Sequence, residues 1–498
     1  MNNYATSAPT LGEPSRRGRL LSTVAVAALI CFAYLDSAAS QTLNEALAAT
    51  YKNNPRIDAD RARQRAQDED VARANSGYRP SVTSSADIGY QRSDSRPPSE
   101  ANGETHPKGY SVTASQPIFN GFRTLNQVRQ AEALVRAGRE DLRVTEQVVL
   151  LEAVSSYMDV VRNQAIVRLR ESNVNVLTRE LRATQDRFSV GEVTRTDVAQ
   201  AEARRAVSVS ELDLARANLR TSRATFERVV GSPPTNLREQ KPPARLLPNT
   251  VQEAIAITLK EQAFVVRALY NEEASRHTVD LIRGELLPSV TLDATHSRRF
   301  DTSRTIDENE ATTVQGRLNV PIYPAGGEVY ARVRQAKHTH VQRLQQVEQA
   351  RAEAQQSTVT AWSNFSASKA QLESDQVQVR ATRTALAGVR EEERVGQRTL
   401  LDVLNAENEA LNAEVRLVTT QRDLIVNSYA LIQTMGRLDI TQLGVVDLAY
   451  DPTVNYSETR RRWWGISITH ANGHREQHDL WKSHGEKRAF ETEVRPAK

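Results

Sequence analysis

Three histidines near the end of the chain, His470, His474 and His478, recur every fourth residue, a spacing that puts side chains on one helix face where they could ligate a divalent metal. Gly473 and the dense charge after Arg460 weaken any helix there, so a solvated tail is expected and no metal or other cofactor is called for. Trp463, Trp464 and Trp481 in the same region could instead rest on a partner or a membrane surface. The single cysteine, Cys31, lies in an apolar run near the N-terminus. No glycine-rich phosphate loop, nucleophile elbow or zinc-protease histidine pair occurs, and an enzyme is not expected. Charges are plentiful but interspersed, 65 Lys and Arg against 61 Asp and Glu, with no basic stripe to engage nucleic acid. The chemistry left to the chain is non-covalent: charge pairs, turns and surfaces.

The elements that would position such contacts begin behind an export signal. Arg16, Arg17 and Arg19 precede an apolar run from Leu20 to Leu35, and Ala38, Ala39 and Ser40 supply the small residues of a cleavage site. The run is shorter than the roughly 20 residues of a membrane span, so residues 1–40 read as a secretory signal peptide. Cleavage near Ser40 leaves a mature chain without cysteine. No later segment reads as a membrane-spanning helix, so residence in a membrane after export would fall to strands.

The mature chain is written twice, at a spacing of about 205 residues. Thr42-Leu43-Asn44-Glu45-Ala46 is echoed by Thr250-Val251-Gln252-Glu253-Ala254, and both read as capping boxes. Pro80-Ser81-Val82-Thr83 answers Pro288-Ser289-Val290-Thr291, and Gln116-Pro117-Ile118-Phe119 answers Val320-Pro321-Ile322-Tyr323. Val190-Gly191 followed by Thr196-Asp197-Val198 answers Val395-Gly396 followed by Leu401-Asp402-Val403. The organisation expected is a first repeat over 41–240, a proline-rich linker over 241–249, a second repeat over 250–449, and a polar, disordered tail over 450–498.

Each bracketed segment alternates with period two. Val82, Ala86, Ile88 and Tyr90 oppose Thr83, Ser85 and Asp87; Val112, Ala114 and Ile118 oppose Ser111, Thr113 and Ser115. Val290, Leu292 and Ala294 oppose Thr291, Asp293 and Thr295, and Val314, Leu318, Val320 and Ile322 oppose Gln315, Arg317 and Asn319. The connections near Ser95-Arg96-Pro97-Pro98 and Thr305-Ile306-Asp307-Glu308 read as polar loops. If these strands face lipid, four per chain leave edges that only further copies can pair. Known closed barrels begin at about 8 strands, so at least two copies are needed and three would supply about 12. Thr124–Ser189 and Glu328–Val395 are free of proline and apolar at helical spacing. The return segments carry a three-four seam: Val198, Ala201, Arg205, Ser208, Leu212, Ala215, Leu219, Ser222, Phe226 and Val229, then Val403, Ala406, Ala410, Ala413, Leu417, Thr420, Leu424, Asn427, Leu431 and Thr434. Small and polar seam residues suit a ring of antiparallel helices around a wet lumen better than a two-stranded zipper, although a periplasmic coiled-coil adaptor or structural protein remains the alternative.

From Thr42 to Asp447 the chain resembles the TolC family of outer-membrane efflux and type I secretion channels. The resemblance rests on Leu43-Asn44-Glu45-Ala46-Leu47 with Asn54-Pro55, on Gln116-Pro117-Ile118-Phe119-Asn120-Gly121, and on the duplicated glycine tip followed by Asp-Val. It implies a mainly α fold with a small β part: long antiparallel helical hairpins forming a trimeric periplasmic α-barrel, and four strands per protomer completing a shared 12-stranded outer-membrane barrel. It also implies a homotrimer in outer-membrane lipid, docked to a periplasmic membrane-fusion adaptor and an inner-membrane pump of the RND or ABC class. By the same resemblance Asp402 lines the pore constriction, with Asn405 where the family often has a second acid. Arg398 would latch onto Thr196 and Asp197, and Glu393 stands where the family can carry an aromatic latch residue. The adaptor would grip Val190, Gly191, Glu192, Val395, Gly396 and Gln397.

Overall fold

The computed structural model describes residues 41–94, 96–97, 102–444 and 450–468. The signal peptide with Cys31, the loop residues Ser95 and Pro98, the three tail histidines and Trp481 lie outside the described residues.

The first half runs α1 (Leu43–Asn53), α2 (Pro55–Asn75), β1 (Ser81–Ile88), β2 (Gln91–Ser93), β3 (Gly103–Thr105), β4 (Lys108–Asn120), α3 (Arg123–Ser189) and α4 (Arg195–Val230). The second runs α5 (Val251–Glu261), α6 (Ala263–Arg283), β5 (Ser289–Ser303), β6 (Ile306–Asn319), α7 (Glu328–Arg394) and α8 (Leu400–Thr434). Corresponding helices match in length: α1 and α5 have 11 residues, α2 and α6 have 21, and α3 and α7 have 67. At about 1.5 Å per residue the last pair each reach roughly 100 Å.

Local chemistry sets the starts. Thr42 Oγ1 accepts from the Glu45 amide at 3.3 Å while the Glu45 carboxylate accepts from the Thr42 amide at 3.1 Å, the reciprocal box the sequence predicts. In the second half only one arm forms as expected. Thr250 Oγ1 accepts from Glu253, but the Glu253 carboxylate reaches one residue farther back, to the Asn249 amide at 2.9 Å.

The four principal strands form one antiparallel sheet in the order β1-β4-β5-β6, leaving β1 and β6 as open edges. Its registers put Thr83, Thr113, Thr295 and Thr313 in one row and Val82, Ala114, Ala294 and Val314 in the next. The hydroxyl face is knit together: Ser85 to Ser111 at 2.9 Å, Thr113 to Thr295 at 3.2 Å, and Ser115 donating to Asp293 at 2.6 Å. Its opposite face exposes Val82, Val314 and Leu318 by 64–67%. Two details depart from the sequence reading. Ile306-Asp307-Glu308 is strand, not loop, because β5 and β6 turn tightly and Ser303 already pairs with Ile306. Beyond β1 a small ribbon of β2 and β3 was not foreseen, its three-residue strands being too short to show alternation.

Below the sheet the helices pack in two tiers. In the upper tier α6 lies between α3 and α7, tied by Gln130 to Thr278 and Arg136 to Glu273, with Arg332 of α7 reaching Glu285 in the turn just after α6, while α2 also packs on α3. In the lower tier the seam residues Ala201, Ser208, Leu212, Ala215, Ser222, Phe226 and Val229 of α4 are buried, but Arg205 is exposed and donates across to Thr178 on α3. Long charged side chains cover a seam by reaching along it rather than by entering it. The main core sits between tiers, where α1, α5 and the ends of α4 and α8 close on the middle of α3 through Leu43, Leu47, Leu150, Tyr157, Phe226 and Leu431.

The tail expected to be disordered from residue 450 is ordered over a further helix, α9 (Pro452–Arg461). Asp451 caps it, and its side chains find partners on α2 and α3: Asn455 donates to Asp68 at 2.7 Å and Tyr456 to Glu132 at 3.2 Å. Asp68 and Glu132 lie hundreds of residues upstream, so composition alone hid this packing.

Candidate functional site

The two helical tips are built alike. At each, a glycine ends the outgoing helix in the left-handed region, Gly191 at φ 82° and Gly396 at φ 76°. The following amides turn back onto the helix, Glu192 to the Arg187 carbonyl at 2.9 Å and Gln397 to the Glu392 carbonyl at 2.8 Å. That pattern closes the last turn and needs a residue without a Cβ penalty at positive φ. The return helix then starts on a capping box. Thr194 donates its amide and hydroxyl to the Asp197 carboxylate at 2.8 and 2.7 Å, and Thr399 does the same to Asp402 at 3.1 and 2.8 Å. Hydrogen bonds from the threonine hydroxyl and then its amide hold both carboxyls below the usual range, so both stay ionised well into acid.

These bonds decide which of the sequence-predicted contacts exist within one chain. Asp197 is engaged by its own cap and Arg398 donates to Glu392 at 2.9 Å, so Arg398 does not reach Thr196 or Asp197. An arginine four residues past a helix end finds the carboxylates of that end first. Thr196 is exposed beside the cap, and Asp402 points its carboxylate into its own helix start. Asn405 accepts from Arg204 of the other hairpin at 2.8 Å. Sequence reasoning missed an ion pair between the hairpins near the tip, Arg187 Nη1 to Glu393 Oε1 at 2.7 Å. By resemblance Glu393 marks a lost aromatic contact; the complementary charge on Arg187, one turn before Gly191, is the signal the sequence offers. Slightly higher, Arg390 pairs with the buried Glu407, and burial together with Glu407 and Glu393 pushes the Glu180 carboxyl up.

Val190 and Val395 are 71% and 65% exposed, with Phe188 and Leu401 also open beside them. Each tip therefore offers a small apolar surface rimmed by charge, with Gly191, Glu192, Gly396 and Gln397 all exposed. Among the described residues no helix is long and apolar enough to cross a membrane, and no cluster of His, Cys, Asp and Glu could hold a metal ion.

A duplicated pair of helical hairpins, each crowned by a strand hairpin with one apolar face, defines a channel subunit of the outer membrane. The chain belongs to the family of outer membrane efflux proteins, whose model matches residues 44–232 and 256–437. It is 38% identical over 439 residues to the outer membrane efflux protein BepC of Brucella suis, covering 86% of this chain and 93% of that protein. It is 24% identical over 422 residues to the outer membrane protein TolC of Vibrio cholerae, covering 82% and 95% of the two. Among solved structures, the CmeC outer membrane channel of Campylobacter jejuni superposes with a TM-score of 0.70 at 16% identity, over 84% of this chain and 89% of that one. The protein is thus an outer-membrane efflux channel whose helices occupy the periplasm.

Proposed function

We propose that three copies of this chain form the exit duct of a tripartite efflux or type I secretion system, passing substrates unchanged from an inner-membrane pump of the RND or ABC class. The observation that carries this reading is the open sheet, apolar on one face and hydroxyl-lined on the other, above helical hairpins of roughly 100 Å. Unpaired edges are costly in hydrocarbon, where each lost backbone bond costs several kcal/mol, and three copies would close about 12 strands. The hairpins beneath would then enclose water, and the duplication would divide the chain into two repeats, over 41–240 and 250–449, joined by a linker over 241–249 and preceded by a leader over 1–40.

At the tip, copies of Asp402 would ring the narrowest point, with Asn405 halving the charge relative to two acids per copy. The contact from Arg187 to Glu393 supports a latch within each copy, and Arg398 would latch to Thr196 and Asp197 only by leaving Glu392. A periplasmic membrane-fusion adaptor would grip Val190, Gly191, Glu192, Val395, Gly396 and Gln397 and overcome these ties, each worth about 0 to 1 kcal/mol. Purified protein in a planar lipid bilayer tests the duct: discrete steps of low conductance are expected from the resting tip, and an absence of any pore from assembled oligomers would refute the reading.

A further inference from the structure

We propose that Trp463–Ile468 is a membrane-interface anchor, seated in the phospholipid leaflet of the outer membrane that faces the periplasm. Helix α9 carries this segment up the side of α2 and α3. Tyr450 lies against Arg61 and Arg65 of α2, Asn455 bonds Asp68, and Arg462 reaches Glu69 at 4.0 Å. On the α3 side Tyr456 meets Arg139 and Glu132, and Arg460 pairs with Glu132 at 3.2 Å. The climb ends where the Arg79 guanidinium stacks on the Trp463 ring at 4.8 Å. Arg79 is two residues ahead of β1, so Trp463 stands at the level where helices give way to sheet.

At that level the surface is apolar and, among the described residues, largely open. Trp463 is 68% exposed, Trp464 90%, Ile466 55% and Ile468 44%. Gly465, at φ 98°, turns the chain between the tryptophans and the isoleucines, and Arg462 Nη1 holds the turn by donating to the Ser467 carbonyl at 2.8 Å. The patch continues a band already present at the helix-proximal end of the sheet, where Tyr78, Phe122, Ile322 and Tyr323 are all more than half exposed. Tryptophan and tyrosine rings concentrate at the membrane–water boundary because one edge is apolar and the other hydrogen-bonds. Arg461, exposed beside them, adds a cation suited to lipid phosphate. A protein partner would leave unexplained why the patch joins the lipid-facing band of the sheet; a phospholipid surface accounts for both its position and its composition.

The inference rests on insertion of the sheet in the outer membrane and is independent of the gate. The test uses full-length protein with Trp362→Phe, Trp463→Phe and Trp481→Phe, reconstituted in phosphatidylethanolamine–phosphatidylglycerol vesicles with or without brominated acyl chains. Channel conductance from the same preparation reports insertion, so a failed barrel is distinguished from a failed anchor. Trp464 fluorescence is expected to fall by about half in brominated lipid, more with bromine near the headgroup than near the chain end, and to resist aqueous iodide. Full quenching by iodide with none by brominated lipid in inserted channels would overturn the proposal. Should the triple variant not assemble, the same quantity is read as the difference between wild type and Trp464→Phe, and no lipid-dependent difference would overturn it equally.

Discussion

Glu146 of α3 and Arg187 near its far end illustrate how single side chains act in opposite ways. Burial pushes the half-buried Glu146 carboxyl up to about 7, with Asp439 adding to the rise and Arg61, Tyr51 and Arg143 opposing it. Between its ordinary value of 4.5 and about 7 the folded chain therefore holds a proton that the unfolded chain has released. Stability from this group is full below about pH 4.5, falls as pH rises, and is lost above about 7. Glu146→Gln should raise the melting temperature above neutral pH by the equivalent of about 1 to 3 kcal/mol and change little at pH 4, read from thermal unfolding in detergent. In the proposed latch Arg187 would act instead on an equilibrium between closed and open tips. Arg187→Ser should raise resting conductance more than Arg398→Ser, because Arg187 bridges the two hairpins and Arg398 stays on its own. Three copies of a pair worth about 0.5 kcal/mol each give up to about tenfold, and the swap Arg187→Glu with Glu393→Arg should restore most of the closure. Equal effects from both serine variants would remove Arg187 from the latch.

Elements carry the next level, and their glycines separate two kinds of constraint. Gly396 and Gly436 share positive φ, 76° and 74°. A Cβ at Gly396 meets nothing within 4 Å, whereas one at Gly436 would lie 2.5 Å from the Glu261 carbonyl. Gly436 also offers its own carbonyl to Arg143 at 2.8 Å and Gln147 at 3.0 Å, and next to it Arg437 forks onto Glu261 with two bonds of 2.8 Å. Gly396→Ala should thus cost only about 1 kcal/mol of backbone strain, while Gly436→Ala should abolish stable oligomers, as judged by resistance to dissociation in mild detergent. The helices, their duplicated order, the strand faces and the tip turns were legible because each depends on residues near in sequence: Thr42 with Glu45, Val82 with Ile88, Val190 with Gly191. Contacts set by packing of distant segments were not. Nothing in the sequence near Arg398 says that Glu392 outcompetes Asp197, nothing in the tail says that Asn455 meets Asp68, and a seam position such as Arg205 looks buried until its reach to Thr178 is known.

For the whole molecule the decisive feature is incompleteness. Among the described residues one chain presents two unpaired strand edges, and the strands alternate in direction from β1 to β6, so the last edge of one copy can lie antiparallel to the first edge of the next. The exposure of Val82, Ile88, Val314 and Leu318 on one face is a separate matter, since edge pairing leaves that face open and the lipid around an inserted wall would cover it. Removal of the leader with Cys31 would leave no native thiol, so engineered cysteines report only on the pair introduced. Thr83→Cys on β1 can be combined in turn with Thr313→Cys, Gln315→Cys and Arg317→Cys on β6, all of which share the hydroxyl face by register. Oxidation of outer membranes carrying these variants is the most direct measurement of the shared wall. One combination is expected to yield covalent dimers and trimers, with nothing larger, on denaturing gels; only monomers across the whole scan, from protein that is inserted and folded, would contradict the account.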